Sequence, residues 1–468
     1  MDARTDETGV DAVGDLARHA AQVRFEDLPA PVVEKAKTFL LDTIGVGIAG
    51  SSGANVDTLK RVAASWGAGD EATVWLTGER MTAQAAAIVN AYQIHCLEYD
   101  CVHEEAVVHP MATVLSALMA GVEARSAAGT PVPGKDFLAA LAVGVDVAAM
   151  LGMAGTGQMN FFRPATCGGF GATAALSSIH RFDEARIRDA FGILYGATSG
   201  TMQPHVEGSP VLGLQIGFNS RSALTAVSLA AAGFPGPHDV LTGRYGYFRL
   251  FEAGAFDIDW IWECLGRKWR IAELSHKPFP SGRLTHGVVD ALMQLTDDHG
   301  VSPDDIAHIK AIVPPLVHRL VGRPDIPSPE TNYAKLCLPF VAGVFLARGH
   351  VDVPDFIGKA NLEDPAVHAH AAKVEVVLDG NPDPNTLDPQ TFVFTLRDGR
   401  KREIVLDRVY GHPDAPLDRE ANVDKFMRCT SYAARPLAEE HARRIVAAVD
   451  GIEDAPDAAA LARLTVAP

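Results

Sequence analysis

Residues 87–124 read AIVNAYQIHCLEYDCVHEEAVVHPMATVLSALMAGVEA. Both flanks are small-residue apolar runs of the kind that form buried helices, so they predict helix packed against helix. Between them His95, Glu98, Asp100, His103, Glu104, Glu105 and His109 crowd into fifteen positions. Burying carboxylates and imidazoles is unfavourable unless they are paired, so a titratable cluster fed by two apolar helices reads as a functional site. The competing reading is a solvated loop that joins two helices.

Outward from this stretch the helical pattern persists. Val10 to Val23 and Pro31 to Ala49 are periodic, the second with Pro31 where a first-turn proline is tolerated. Thr58–Trp66, Thr82–Ile94, Ala112–Ala128, Gly134–Leu151, Gly171–Ser178, Glu184–Gly200 and Ser220–Ala232 continue it, after a disordered-looking start and with a hint of extended chain near Val74. The texture changes near Ile271. Ile309–Val313, Lys373–Leu378, TFVFTL and REIVL read as strands, the last two joined by the hairpin turn signal Asp398-Gly399. Helical candidates lie between them at Gly287–Thr296 and Pro339–Arg348, and helix returns after Val409. The expected fold is mainly α: a large all-helical domain from residues 1–269 and 410–468, with an inserted, smaller α+β lid domain at 270–409 and the substrate site in the cleft between them.

At 468 residues the chain is long enough for two cores. Its formal net charge of −17 disfavours nucleic acid as a partner. Six cysteines without a framework spacing predict a reduced, cytoplasmic protein, and no uncharged apolar run reaches a membrane span.

Two further stretches carry candidate chemistry. SHKPFPSGRLTHGVVD at 275–290 is a proline-stiffened loop presenting His276, Lys277, Arg283 and His286. It offers fixed cations to a carboxylate, or is a solvated surface loop. NFFRPATCGGFGATAA at 160–175 places Gly168, Gly169 and Gly171 beside Arg163. Backbone amides there suit an anion, but close helix packing is the more common use of such glycines, and without a preceding strand it is no dinucleotide fingerprint. His95, Cys101, His103 and His109 raise a metal question, yet their spacings fit no common zinc pattern, and no metal is expected. Cys167 is a candidate nucleophile, and His205 and Tyr333 with Lys335 are lone candidates for lining the cleft, but a structural role is the favoured reading of each.

Taken together and in order, these stretches resemble the MmgE/PrpD family, which includes 2-methylcitrate dehydratase, cis-aconitate decarboxylase and iminodisuccinate epimerase. The blocks NAYQIHCLEYD with the following His109-Pro110, HKPFPSGRLTHGVVDAL at 276–292 and LAAAGFPGPHDVLTGRYGYFRLF at 229–251 carry the resemblance. It extends from Asp42-Thr43-Ile44-Gly45 to Gly411-His412-Pro413 and Lys425-Phe426. The resemblance implies a homodimer with a metal-free, cofactor-free site. It sets the family's acidic positions on Glu98 and Asp100, its His-Pro histidine on His109, its loop lysine on Lys277 and its later histidine on His286. Departures fall at Cys101 and Val102, at Arg163 in place of a histidine, at Leu212 in place of a lysine, at Ser281 in place of a cysteine and at Phe340 in place of a tyrosine.

The chemistry implied is a carbanion formed next to a carboxylate of a small di- or tricarboxylate. That intermediate needs fixed cations in a dry site and groups that move a proton near neutrality. Lys277, Arg283 and Arg163 are the expected cations, with His286 as a further binding residue. His109 and His103 are the expected acid and base, with Asp100 or Glu98 orienting them. Dehydration of a 2-methylcitrate-like hydroxy acid is the expected reaction. The alternatives are cis-aconitate-type decarboxylation, epimerisation of an iminodisuccinate-like acid, a non-catalytic polycarboxylate-binding homologue, and a metal-dependent hydrolase.

Overall fold

The computed structural model describes residues 11–468. The start of the chain read as disordered lies outside them. The first body is helical: α1 (Ala12–Gln22), α2 (Ala30–Gly50), α3 (Ala83–His95), α4 (Pro110–Ala127), α5 (Gly134–Ala154), α6 (Arg163–Ile179) and α7 (Val211–Ala231). Thr82 caps α3 by accepting from the Ala85 amide at 3.3 Å, and Pro110 opens α4, whose missing amide would be unpaired there in any case. Helices α4 and α5 each pack on α6, and α7 lies across α3, α4 and α6.

Small residues set how closely these helices approach. At Gly50 an added Cβ would sit 1.8 Å from the Gln93 carbonyl oxygen, so α2 meets the backbone of α3 directly. Gly50→Ala is therefore expected to force the two helices apart and to destabilise the fold by about 1–3 kcal/mol, read from the midpoint of urea unfolding. An unchanged midpoint would contradict the close approach.

By length and composition α5 alone among the described helices is apolar enough to cross a membrane. It is packed inside the helical body, and its central Asp146 is met by His19 of α1 at 3.2 Å and by the Arg270 amide at 2.7 Å.

The second body starts with α8 (His286–Met293) and contains a four-stranded sheet of β1 (Ile306–Val313), β2 (Val374–Leu378), β3 (Gln390–Leu396) and β4 (Lys401–Leu406). The order is β2-β1-β3-β4, with β1 and β2 parallel and the other pairs antiparallel. Phe392, Phe394 and Leu396 alternate inward on β3 and share a core with α8 and with α9 (Leu338–Arg348). Buried residues from Val288 to Val409 form this core. Most of those up to Leu274, with Leu336 and most from Phe426 onward, form the helical one, because α10 (Arg419–Ser431) returns to pack on α2, and Val46, Ala49, Leu97, Tyr99 and Cys429 form a small separate cluster with Val353. The fold is thus mainly α with a smaller α+β part. Helix α6 begins at Arg163, eight residues before the expected Gly171, and α7 begins at Val211 rather than Ser220. Glycines and a proline masked both helix starts.

Candidate active site

The 87–124 stretch builds one wall of a cavity between the two bodies. His95 is the last residue of α3, where the negative end of the helix dipole favours a cationic imidazole. The chain then turns sharply, with Glu98 in the left-handed region at φ 53°. Strain of this kind at a non-glycine residue is held by its surroundings and recurs at active sites. Val102 next exchanges backbone hydrogen bonds with Ser275 at 3.1 and 2.8 Å, which ties the first stretch to the 275–290 loop. His109 immediately precedes α4, where the positive end of the dipole favours a neutral imidazole.

Asp100 lies at the centre of the resulting cluster, fully buried. One of its oxygens, Oδ2, is 3.1 Å from His109 Nδ1 and 3.1 Å from His95 Nδ1. Glu98 receives the Lys277 ammonium at 2.9 Å and lies 3.3 Å from His95 Nε2. Lys277 is also 4.0 Å from Asp100. Against the desolvation that opposes charge, His95 and His109 hold the Asp100 carboxyl well below the usual range. Glu98, buried beside Lys277, His95 and His109, falls to about 2. Burial would lower His95, but the Asp100 and Glu98 carboxylates outweigh it and raise it. For His109 burial wins over the Asp100 contact, and its pKa falls below the ordinary imidazole value. With Nδ1 held on Asp100, His109 keeps Nε2 for the cavity, and its side chain is 13 % exposed. His95, Asp100 and His109 also bring ligand atoms within 4.8 Å of one another. Both imidazoles spend Nδ1 on one carboxylate that Lys277 already faces, which is the arrangement of a proton-transfer cluster.

The cavity has a volume of about 680 Å³, counting the part that opens to solvent. His95, Glu98, Glu104, His109, His205 and Arg283 are its polar lining. Everything else around it is apolar apart from Gly282, including Leu212, Phe162, Leu316, Leu320, Leu336 and Leu387.

Several expected site residues are occupied elsewhere. The Arg163 fork is spent on Glu252, at 2.9 Å from Nε and 2.6 Å from Nη2, with Gly155 O at 3.0 Å. It is therefore a structural ion pair, not an anion-binding fork. Gly168 and Gly171 lie inside α6, where an added Cβ would meet Thr113 Oγ1 at 2.5 Å and Gly144 O at 2.3 Å, so they serve packing. His103 forms a backbone bridge to Val108, accepts from the Ala106 amide at 3.3 Å and turns Nε2 to Glu273 at 3.2 Å. It does not line the cavity. His286 is buried with Nε2 on Ser281 O at 3.2 Å and its ring edge-on to Phe279, again away from the cavity. Arg283 does line it, but Nε is 2.8 Å from Glu104, and Nη1 and Nη2 donate to the carbonyls of Tyr410 and Val409. Cys167 is buried and pushed up to about 12, first by desolvation, as befits a structural thiol.

His205 lines the cavity, the less favoured of its two readings. Arg323 Nη2 is 3.2 Å from its Nδ1. A guanidinium only donates, so Nδ1 accepts and Nε2 carries the proton. Burial, helped by Arg323, brings this histidine down to about 4, which keeps it a neutral donor. No sequence signal joins the two, since 118 positions separate them.

A helical body and a smaller α+β part thus enclose a cavity whose wall holds a buried His–Asp–His cluster and a Lys–Glu pair. The chain belongs to the MmgE/PrpD family: the family's N-terminal domain matches residues 14–259 and its C-terminal domain residues 279–451. It is similar to cis-aconitate decarboxylase of Homo sapiens, 27 % identical over 456 residues, covering 93 % of this chain and 91 % of the relative. It is likewise similar to cis-aconitate decarboxylase of Mus musculus, at 27 % over 471 residues and 95 % and 91 % coverage. The cis-aconitate decarboxylase-like protein oryM of Aspergillus oryzae matches at 26 % over 470 residues, covering 96 % of each chain. The chain is an enzyme of the family's lyase type, acting on carboxylates.

Proposed function

We propose that the chain decarboxylates a small unsaturated polycarboxylate without a cofactor, using His109 as the proton donor. The observation that carries this is the His109 imidazole, fixed through Nδ1 on Asp100 with Nε2 at the edge of an apolar cavity. Moving a carboxylate from water into such a cavity disfavours its localised charge, while the carbanion formed as carbon dioxide departs spreads that charge. One proton then completes the carbanion. Substrate anions raise the His109 pKa on binding, so the imidazolium is present when needed. Asp100 fixes the tautomer, and Lys277 with Glu98 keeps the buried cluster near neutrality. His205 Nε2–H is the donor assigned to the carboxylate that stays. The named activity of the relatives supports decarboxylation over the expected dehydration.

Dehydration remains the second reading, because it needs two titratable groups and the His95 ring centroid is 4.9 Å from that of His109. The pH profile separates the two. With His109 as acid, kcat/KM is expected to fall about tenfold per pH unit above its lowered pKa, and the kcat profile to break at higher pH. With His109 as base, kcat/KM would instead rise with pH to a plateau. The homodimer and the cytoplasmic location are part of this proposal, the second supported by the six free cysteines. Light scattering that returned the mass of a single chain would contradict the dimer.

A further inference from the structure

We infer that the natural substrate carries an alkyl branch where a tricarboxylate carries its third carboxylate. The inference rests on the decarboxylation reading for the reaction, and on the cavity alone for the branch. Beside the polar residues His95, Glu98, Glu104, His109, His205 and Arg283, the cavity is lined by Leu316, Leu320, Val321, Leu336 and Leu387 of the second half of the chain and by Leu212 of α7. The lysines and arginines around the cavity are held by protein groups, though not all by carboxylates: Lys335 donates to Cys96 O at 3.2 Å and Arg319 to Pro384 O at 3.2 Å. Lys277 is on Glu98 at 2.9 Å, Arg283 on Glu104 at 2.8 Å, and Arg163 on Glu252. Arg323 donates to His205 and to the Leu320 carbonyl at 3.2 Å. A third carboxylate would lose its hydration against leucine side chains, and no lysine or arginine is among the residues of that wall. An alkyl group there removes apolar surface from water instead.

The step balances for a 3-alkylpent-2-enedioate. The bond from the methylene carbon to its carboxylate breaks and carbon dioxide leaves. The freed pair forms a terminal double bond, and the former double-bond pair moves to the carbon beside the retained carboxylate. That carbon takes the proton of His109 Nε2. In cis-aconitate the branch position holds a carboxylate instead.

Two sets of ligands test this with the full chain. Saturated 3-alkylglutarates and propane-1,2,3-tricarboxylate share one skeleton, differ only at the branch and do not react, so calorimetric titration reads the branch preference without turnover. Affinity is expected to rise about threefold per methylene from methyl to butyl, with the butyl compound at least tenfold tighter than the tricarboxylate. Equal or tighter binding of the tricarboxylate, affinity flat with chain length, or no binding of either overturns the inference. Carbon dioxide release from 3-alkylpent-2-enedioates and cis-aconitate is then compared. Faster turnover of cis-aconitate overturns the alkyl branch and leaves the reaction standing. Tight alkylglutarate binding without carbon dioxide from any acid supports the branch and removes the reaction. Leu212→Lys, which adds a cation to the apolar wall, is expected to shift the preference toward the tricarboxylate by tenfold or more. Should that variant fail to fold, the chain-length series on the natural protein still decides.

Discussion

His109→Ala is expected to lower kcat about a thousandfold while leaving helix content unchanged. A positioned general acid contributes about 10²–10⁴-fold, and no other imidazole at the cavity replaces this one. His95 has Nδ1 on Asp100 and Nε2 facing Glu98, and His205 is fixed by Arg323 as a neutral donor. Truncation takes one partner from the buried Asp100, which keeps His95 at 3.1 Å, so the helical body is expected to stay folded at reduced stability. Asp100→Asn should give a smaller loss, because the amide preserves shape but not the charge that sets the imidazole tautomer. Since the two act as a unit, the double variant should be little worse than His109→Ala alone. Turnover within threefold of the natural protein in His109→Ala would remove the proton-donor role.

The largest expected stability effect is at Glu252→Ala. Its carboxylate holds the Arg163 fork at 2.6 and 2.9 Å, with both side chains nearly buried. Breaking such a pair strands a guanidinium in the core and is expected to destabilise by about 3–5 kcal/mol, read by urea unfolding. Replacing both partners with apolar residues of similar volume, Arg163→Met with Glu252→Leu, should recover most of that loss. If Arg163 instead bound substrate, Glu252→Ala would leave stability intact and change KM.

The distance over which each contact forms decides how much of this was legible in the sequence. Helix α4 and the β3–β4 hairpin follow from local periodicity and the Asp398-Gly399 turn, so the secondary structure and the mainly α class could be read directly. The clustering of His95, Glu98, Asp100 and His109 was visible for the same reason, since all lie within one turn of chain between two helices. His103 shares that stretch yet is drawn to Glu273, 170 positions later. Arg163 looked available because Glu252 lies 89 positions away in a segment without any motif. Charge alone does not say whether a fork is spent on the protein or left for a ligand. Leu212 was visible as a departure from the family's lysine, but its meaning depends on the lid leucines that share its cavity.

Proton and carbon NMR of the protein with unsaturated dicarboxylates and cis-aconitate in deuterated water tests the central claim most directly. The expected result is carbon dioxide release with one deuterium entering the product per turnover, lost in His109→Ala. Loss or addition of water without carbon dioxide, or unchanged turnover in His109→Ala, would contradict it.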